Sequence, residues 1–448
     1  MNLQYPNGYV FYRNLHYSYP MITHGQGAYI FDKQGKKYLD ASGGAAVVNI
    51  GHGVKEVAEA IHTQAQKCGY LNGMQFSHHP VEKLAEQISR LLPFDEGKVY
   101  FLTSGSEAVE ASIKLSRQHW VEKGQITKHL VISRNPSYHG NTLAALSLSA
   151  REHYKSIYHL MLSEGPKIPA PYCYRCFWEE EYPTCGLKCA YELEKKILEL
   201  GKENISAFMT EVIGGASTGA SVPPSEYFPI IRNICDKYEI LLIADEIMTG
   251  AGRTGKWLAC HHFDFKPDII VMGKGLTGGY FPLSASAVKK DIIDVIHRNG
   301  NSFLHAQTYS HHPVGCAAGL STLDYIKKND LMENCLKMGE GLLTELLSLL
   351  SHPHIGDIRG KGLLVGIEFV KEKQEKKPFS RKERYVEHFL SRAMDKGLVL
   401  WPNIGHADGM NGDLVLIAPP LIIAQKEIIE IIDKLRGILL EMEKFGIK

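Results

Sequence analysis

The 448-residue sequence lacks any uninterrupted apolar run near the roughly 20 residues that a membrane-spanning helix needs. It also lacks a net charge of consequence, because 50 Lys and Arg residues stand against 49 Asp and Glu residues. This balance gives no electrostatic reason to expect binding to nucleic acid or to an acidic membrane surface. The N-terminus lacks the basic and then apolar segments of a signal peptide. We therefore expect neither a membrane nor a nucleic-acid partner.

Cysteine is sparse, with nine residues, an odd number, and no export signal accompanies them. This usage favours reduced thiols and predicts a cytoplasmic protein. Hydrophobic residues make up 44% and charged residues 22%, close to the values of soluble globular chains, which excludes a disordered, collagen-like or coiled-coil protein. The length exceeds what one hydrophobic core usually fills, so it predicts two or more domains.

Short β-rich runs alternate with helical patterns from Lys98 onward. Several runs are apolar throughout, which is typical of a mainly parallel sheet that helices cover on both faces. The pattern predicts an α/β core. The predicted strands are Lys98–Leu102, His129–Ser133, Ile205–Val212, Ile240–Ile247, Asp268–Met272 and Pro282–Val288, and the predicted helices are Gly105–Glu122, Tyr191–Leu200 and Glu226–Tyr238.

The two ends of the chain show a different pattern. Gly27–Asp32 and Gly35–Asp40 are two short strand patterns around a polar turn. Beyond about Leu331 the alternation of helical and strand-like patterns predicts a smaller α+β domain. We assign residues 1–60 to an N-terminal segment that joins this small domain, residues 61–330 to a large α/β domain, and residues 331–448 to the small domain.

Small and hydroxyl residues follow the first predicted strand of the core, in the run Leu102-Thr-Ser-Gly-Ser-Glu-Ala108. Backbone N–H groups at the start of the following helix, with the hydroxyls of Ser104 and Ser106, would suit a phosphate. The other interpretation is a plain helix cap, because Glu107 follows Ser104 by three residues.

Two further charged residues follow apolar strands. Asp245 ends such a strand, where α/β proteins bind ligands, and a desolvated carboxylate there needs a positive or N–H partner such as a protonated ring nitrogen. The alternative is a carboxylate that caps the next helix. Lys274 lies in the glycine-rich run Gly273-Lys-Gly275, where a partly buried amine becomes a nucleophile toward carbonyls. Most lysines are simply solvated.

The four kinds of site part occur together. Tyr138 follows the second predicted strand, where its ring could stack on a planar ligand, and Thr308 supplies a hydroxyl in another polar loop. An anion cradle, a stacking aromatic, a strand-end acid and a glycine-flanked lysine are the parts of a pyridoxal 5′-phosphate site, in which the cofactor forms a lysine Schiff base.

The sequence resembles the class III, omega-type aminotransferases of fold type I over most of its length. The motifs that carry the resemblance occur in the family's order: Gly27-Ala-Tyr, Asp32, Gly35, Tyr38-Leu-Asp40, Gly51-His52, Thr103-Ser-Gly-Ser-Glu-Ala108, Ser137-Tyr-His-Gly140, Asp245-Glu-Ile, Gly250-Ala-Gly-Arg-Thr-Gly255, Gly273-Lys-Gly275, Thr308-Tyr, Arg359-Gly-Lys-Gly362 and Ala418-Pro-Pro-Leu421. The resemblance implies a large domain with a mostly parallel, seven-stranded sheet between helices, and a smaller α+β domain.

The resemblance also implies the role of each site residue. Lys274 carries the cofactor and shuttles a proton, and Asp245 keeps the pyridine nitrogen protonated. Tyr138 and Ile247 pack on the two ring faces, and His139 lies beside the stacking residue. Ser104, Gly105 and Ser106 form the phosphate site, and Thr308 reaches the phosphate of the neighbouring subunit. Glu211 lies near the phenolic side of the cofactor or gates the substrate, and Arg253 belongs to a loop that orders the site. The shared phosphate site implies a homodimer.

The substrate is less determined. An amine donor and a 2-oxo acid acceptor are implied by the resemblance, with an ω-amino acid, a diamine or a related amine as donor. Ala45 or Ala46 stands where many relatives carry a bulky aromatic, which predicts room for a longer donor unless Tyr19 or Phe76 fills the space. No arginine for a substrate carboxylate lies beside Ala418-Pro-Pro. The runner-up is adenosylmethionine-8-amino-7-oxononanoate aminotransferase of the biotin pathway.

Cysteines 173, 176, 185 and 189 form a C-x2-C-x8-C-x3-C pattern whose end pairs have spacings that a zinc knuckle uses. A zinc-stabilised binding module without catalytic activity is therefore a remote alternative. We favour buried thiols or a redox pair and expect no metal in the catalytic site.

Overall fold

The structure, a computed structural model, describes residues 5–444. Its strands are β1 (Ile22–Gln26), β2 (Tyr29–Asp32), β3 (Lys37–Asp40), β4 (Lys98–Leu102), β5 (Leu130–Asn135), β6 (Lys167–Pro169), β7 (Ile205–Glu211), β8 (Leu241–Asp245), β9 (Ile269–Met272), β10 (Ser284–Val288), β11 (Ile355–Gly360), β12 (Val365–Phe369), β13 (Leu398–Val399), β14 (Trp401–Ile404) and β15 (Asp413–Ile417).

The helices are α1 (Gly43–Ala46), α2 (Lys55–Lys67), α3 (His79–Leu91), α4 (Gly105–Glu122), α5 (Leu143–Leu148), α6 (Glu152–Lys155), α7 (Lys188–Leu200), α8 (Tyr227–Lys237), α9 (Lys290–Arg298), α10 (Pro313–Lys328), α11 (Leu331–Leu347), α12 (Tyr385–Asp395) and α13 (Gln425–Lys444). Short 3₁₀ helices are His159–Met161, Cys173–Arg175, Lys202–Asn204, Ala259–His262, Lys274–Leu276, Ser348–Ser351 and Arg381–Glu383. Within residues 5–444, every helix is too short or too polar to cross a membrane.

The central sheet has seven strands in the order β4-β10-β9-β8-β7-β5-β6. The pairs β5–β6, β5–β7, β7–β8 and β8–β9 are parallel, and β10 runs antiparallel to both of its neighbours, β4 and β9. The mostly parallel, seven-stranded sheet that the sequence predicts is therefore confirmed. With this topology the carboxyl ends of β5, β7, β8 and β9 lie along one edge of the sheet.

The apolar strands are buried on both faces, as their composition predicts. All residues of β7, β8, β9 and β10 are buried. Alternate residues point to opposite sides, so that Phe208 packs in the core formed with α7 and α8, whereas Met209 packs in the core formed with α4 and α9. The burial of both faces explains why these strands show no polar alternation.

The six predicted core strands are all present, with ends that differ by at most two residues. The predicted helix Gly105–Glu122 matches α4 at both ends, and the reciprocal capping box of Ser104 and Glu107 explains where it starts. Strand β6, at the edge of the sheet, was not predicted. It has three residues and ends in Pro169, so it offers no period to detect.

A smaller domain consists of the antiparallel sheet β11-β12-β15-β14 and of the helices α11, α12 and α13, which pack against it. The N-terminal hairpin contacts it, because β3 pairs in parallel with β13 through Leu39 and Leu398. The domain boundaries near residues 60 and 330 stay predictions.

Arg253 joins three distant parts of the chain and is fully buried. Its Nη1 donates to the carbonyl oxygens of Leu363, at 3.1 Å, and of Pro419, and its Nη2 donates to Asn49 Oδ1 at 2.6 Å. Burial lowers the pKa of the guanidinium to about 10. Asn49 in turn lies against the backbone of Gly275, where an added Cβ would lie 2.0 Å from Asn49 Nδ2. This arginine therefore fixes the N-terminal segment and the small domain beside Lys274.

Candidate active site

Two carboxylates end neighbouring strands at the carboxyl edge of the sheet. Glu211 is the last residue of β7, Asp245 is the last residue of β8, and the two are paired in the register of these strands. Both side chains are buried. The edge of the sheet thus presents two adjacent acids to the space in front of it, which is where open α/β sheets bind ligands.

Asp245 is oriented by two hydrogen bonds. Its Oδ2 lies 2.8 Å from His139 Nδ1, and its Oδ1 accepts a hydrogen bond from the Ile247 backbone N–H at 3.1 Å. The His139 ring is fully buried, and its backbone N–H donates to Ser149 Oγ at 2.9 Å. The contact with the carboxylate favours the proton on Nδ1, which leaves the buried Nε2 without a partner in the described chain. This pair holds a carboxylate ready for a cationic partner.

Glu211 has a different environment, because N–H and O–H donors surround its carboxylate. Oε1 accepts from the Gly215 backbone N–H at 2.8 Å, and Oε2 accepts from Ser217 Oγ at 3.1 Å. The backbone N–H of Tyr138 also donates to Oε2, at 3.4 Å. Glu211 therefore positions the backbone that carries the Tyr138 ring.

Lys274 follows β9 and starts a 3₁₀ helix with a φ of 43°, in the left-handed region. Its ammonium group forms no hydrogen bond or ion pair within residues 5–444. Burial lowers the pKa of Lys274 to about 8, while Asp245 and Glu211 oppose the shift and Arg253 and Arg151 add to it. The ammonium form still predominates at neutral pH, but the lowered pKa makes the neutral, nucleophilic amine far more abundant than in a solvated lysine.

The start of α4 forms the predicted anion cradle. The capping box occupies the N–H groups of Ser104 and Glu107, which leaves those of Gly105 and Ser106 at the positive end of an 18-residue helix. Gly140 packs closely against this helix start, because a Cβ on Gly140 would lie 2.6 Å from Ser106 Oγ. The capping interpretation of the motif is confirmed. The phosphate site stays a prediction, which is compatible with the cap because the cap leaves two donors free.

Ile247 connects the cradle to the lysine. A Cβ built on Gly105 would lie 2.9 Å from Ile247 Cδ1, and one on Gly273 would lie 3.6 Å from Ile247 Cγ2. The Ile247 side chain thus lies between the start of α4 and the residue before Lys274. The structure brings together, at one edge of the sheet, Ser104, Gly105, Ser106, Tyr138, His139, Glu211, Asp245, Ile247 and Lys274.

Thr308 is separate from this group. It lies on an exposed loop, and its hydroxyl forms no hydrogen bond within the described chain. The loop is near the cradle, because the neighbouring Gln307 Nε2 donates to Glu107 Oε1 at 3.3 Å. The contact of Thr308 with the phosphate of a second subunit stays a prediction.

Arg151 is a residue of this region that no sequence motif indicates. It is buried, and its guanidinium carbon lies 5.6 Å from the ring centroid of Tyr138 and 4.4 Å from that of Tyr154. Its Nη2 donates to Asn403 Oδ1, at the far end of the sequence. The segment beside Ala418 has no arginine, whereas this one approaches from the loop after α5.

The turn Gly43–Ala46 gives the residues near position 45 an unusual backbone conformation. The φ angles of these four residues are 53°, 56°, 68° and 60°, so α1 is a single left-handed turn. Residues with a Cβ are strained in this conformation. Tyr19 packs against Tyr12 and Tyr17, and Phe76 is largely exposed. The effect of the two alanines on donor length stays a prediction.

Cys173, Cys176, Cys185 and Cys189 line one cavity, as free thiols. Burial raises the pKa of Cys189 to about 12 and raises that of Cys173 as well, so both are protonated at neutral pH. In the part of the chain that the structure describes, no group of three or more His, Cys, Asp or Glu side chains is arranged to hold a metal ion. Cys173 is exposed and the other three thiols are half-buried, so the expected burial of these thiols is not observed, and zinc binding by them stays a prediction.

Comparison with known proteins agrees with the geometry. Residues 11–439 match the model of the family "Aminotransferase class-III". The uncharacterised aminotransferase YodT of Bacillus subtilis is 39% identical over 95% of this chain and 96% of its own length. A putrescine–pyruvate aminotransferase of Pseudomonas aeruginosa is 35% identical, with coverages of 92% and 88%. An adenosylmethionine-8-amino-7-oxononanoate aminotransferase of Geobacter sulfurreducens is 32% identical, with coverages of 93% and 90%.

Solved structures have the same fold. A Bacillus anthracis aminotransferase superposes with a TM-score of 0.91 at 35% identity, covering 97% of this chain and 96% of the other. A Vibrio fluvialis aminotransferase, described as a PMP-bound form, superposes with a TM-score of 0.88 at 30% identity, with coverages of 95% and 93%. Every such relative is an aminotransferase, which leaves the alternative of a non-catalytic zinc module without support. This chain belongs to the class III aminotransferases, a family of fold type I enzymes that use pyridoxal 5′-phosphate.

Proposed function

We propose that the enzyme transfers a terminal amino group from an ω-amino acid, a diamine or a related amine to a 2-oxo acid. The observation that carries this proposal is the neutralisable amine of Lys274 in front of the two strand-end carboxylates, beside an open helix N-terminus. Pyridoxal 5′-phosphate, when bound, supplies a carbonyl carbon and an electron sink. Donor and acceptor use one site in turn, so the kinetics are ping-pong. Relatives named for putrescine and for taurine support a terminal amine as donor.

Each residue at the sheet edge has a role in this proposal. Lys274 Nζ would hold the cofactor, and its amine would move a proton at the reacting carbon of the substrate. Asp245 would hold a proton on the ring nitrogen, and His139 fixes the orientation of that carboxylate. Glu211 positions Tyr138 through its backbone N–H.

The remaining residues hold the cofactor. Gly105 and Ser106 offer their backbone N–H groups to the phosphate, and Ser104 caps the helix that presents them. Tyr138 and Ile247 lie against the ring. The exposed hydroxyl of Thr308 completes the phosphate site of a second copy, which makes a homodimer with shared sites part of the proposal.

We predict that Lys274 in the apoenzyme reacts with acetic anhydride along a pH curve with its midpoint near 8. The reason is that burial lowers its pKa to about 8, whereas a free lysine titrates near pH 10.4. Below the midpoint the ammonium form predominates and labelling is slow, and above it the neutral amine reacts fully. Peptide mass spectrometry measures the labelling rate, with N-acetyl-lysine as the reference. A midpoint near 10 would contradict the burial of this amine.

We predict that Asp245→Asn binds the cofactor but slows each half-reaction by several orders of magnitude. A neutral amide cannot hold a proton on the ring nitrogen, so the loss falls on the transition state more than on the ground state. Stopped-flow absorbance after mixing with an amine donor measures the rate. The melting temperature and the absorbance of the bound cofactor serve as controls for folding and binding. Equal rates for the variant and the wild type would refute this role of Asp245.

A panel of donors tests the substrate class. We predict that terminal amines, among β-alanine, 4-aminobutyrate, lysine-derived amines and putrescine, discharge the absorbance of the bound cofactor, and that longer donors react faster than shorter ones. The reason for the length preference is the small side chains at Ala45 and Ala46. Reaction with α-amino acids such as aspartate alone would contradict the ω-specific proposal and leave the aminotransferase family standing. Reaction confined to S-adenosylmethionine, with an oxononanoate acceptor, would favour the biotin-pathway enzyme.

A further inference from the structure

Arg151 is a buried cation without an anionic partner at the border of the candidate active site. Within residues 5–444 no carboxylate forms an ion pair with it, and its Nε has no hydrogen-bond partner. The polar atoms near its Nη2 are Asn403 Oδ1 and, at 3.4 Å, His153 Nε2. Burial lowers the pKa of the guanidinium. A buried charge is costly unless it is paired, so the site has an unmet requirement for an anion.

Arg151, the cation that lacks an anion, lies close to Tyr138 and Lys274. Its guanidinium carbon lies 5.6 Å from the ring centroid of Tyr138, whose backbone N–H donates to Glu211. Its charge is also close enough to lower the pKa of Lys274. The arginine therefore belongs to the same cleft as the lysine.

The guanidinium is held in a fixed orientation. Its carbon lies 5.6 Å from the ring centroid of Tyr138 and 4.4 Å from that of Tyr154, and Asn403 Oδ1 accepts a hydrogen bond from its Nη2. A guanidinium that contacts aromatic rings and is held by a hydrogen bond keeps its planar set of donors in place, which suits bidentate binding of a carboxylate.

A second cation reinforces the first. The guanidinium carbon of Arg13, an exposed residue, lies 4.9 Å from the Tyr154 ring centroid. Burial would raise the pKa of Tyr154, yet the two arginines outweigh burial and lower it. The charge of Glu211 raises the pKa of Arg151. The carboxylate of Glu211, however, forms its hydrogen bonds with Gly215 and Ser217 and not with Arg151. The two arginines beside Tyr154 thus make the surroundings of Arg151 positively charged.

We propose that Arg151 binds a carboxylate of the substrate, an inference that builds on the proposed aminotransferase function and narrows its substrates. This carboxylate is either the distal one of an ω-amino acid donor or the one of the 2-oxo acid acceptor. A diamine would bring a second ammonium group toward Arg151 and Arg13, so a donor with a carboxylate end is favoured over a diamine of equal length.

Binding of a ligand that cannot react gives the first test. Pentanoate is titrated calorimetrically into the holoenzyme, with pentanamide as the neutral ligand of the same shape. We expect Arg151→Met to weaken pentanoate binding by about 10- to 100-fold, as for the loss of a charged hydrogen-bonded partner, and to leave pentanamide unchanged. Arg151→Lys should bind with intermediate affinity. Arg90→Met, which removes an exposed arginine of α3 paired with Glu86, is the matched control and should bind as the wild type.

The two half-reactions then separate the sources of the carboxylate. In Arg151→Met, a rise in the half-saturating concentration of 5-aminopentanoate, with pentylamine unchanged, assigns the distal carboxylate of the donor. A rise for pyruvate alone assigns the carboxylate of the acceptor. In the wild type, 5-aminopentanoate should react at lower concentration than the diamine cadaverine when the donor is the source.

Two results of these measurements would contradict the role of Arg151. The first is pentanoate that binds the wild type and Arg151→Met with equal affinity, or that does not bind the wild type. The second is an equal rise in the half-saturating concentrations of pentylamine and 5-aminopentanoate in Arg151→Met. If no terminal amine reacts while pentanoate binding still depends on Arg151, the proposed function fails and the carboxylate site stands.

Discussion

The rest of the structure depends on a buried arginine that three distant segments share. Arg253 has no carboxylate partner within the described residues, and its donors meet the carbonyl oxygens of Leu363 and Pro419 and the side chain of Asn49. Removing any one of these acceptors would leave a charged group buried with fewer partners, which is among the costlier defects a protein can carry. The arginine therefore couples the packing of the small domain and the N-terminal segment to the loop of Lys274, whose pKa its charge also lowers.

The acidic and basic groups around Lys274 come from different parts of the chain and shift its pKa in opposite directions. The carboxylates of Asp245 and Glu211 come from the ends of adjacent parallel strands and favour the charged amine, whereas burial and the two arginines favour the neutral one. Burial prevails. The acids are each committed to neutral or imidazole donors, so neither acid neutralises Arg151. The site thus combines Lys274, an amine that can become neutral, with Arg151, a buried cation that has no anionic partner. This combination suits a substrate that carries both an amine and a carboxylate.

The sequence predicts the features that depend on local chemistry. The sequence predicts the start of the helix Gly105–Glu122 because the residues that cap it, Ser104 and Glu107, are adjacent to that start in the chain. The ends of the core strands follow from the ends of the apolar runs. The three-residue edge strand Lys167–Pro169 carries no such signal. Arg151 is not recognisable from the sequence, because its partner Asn403 lies 252 residues away and contact with two tyrosine rings leaves no pattern. At Ala45 the small side chain predicts room for a longer donor, and the structure adds that its backbone lies in the left-handed region.

The account depends most on the assignment of one lysine as the residue that carries the cofactor. The direct measurement is borohydride reduction of the holoenzyme, followed by proteolysis and mass spectrometry of the lysine-containing peptides. The account predicts the mass of the reduced cofactor on the peptide that contains Lys274, and no covalent label in Lys274→Ala. A label on a different lysine, or a reducible link that persists in Lys274→Ala, would contradict it.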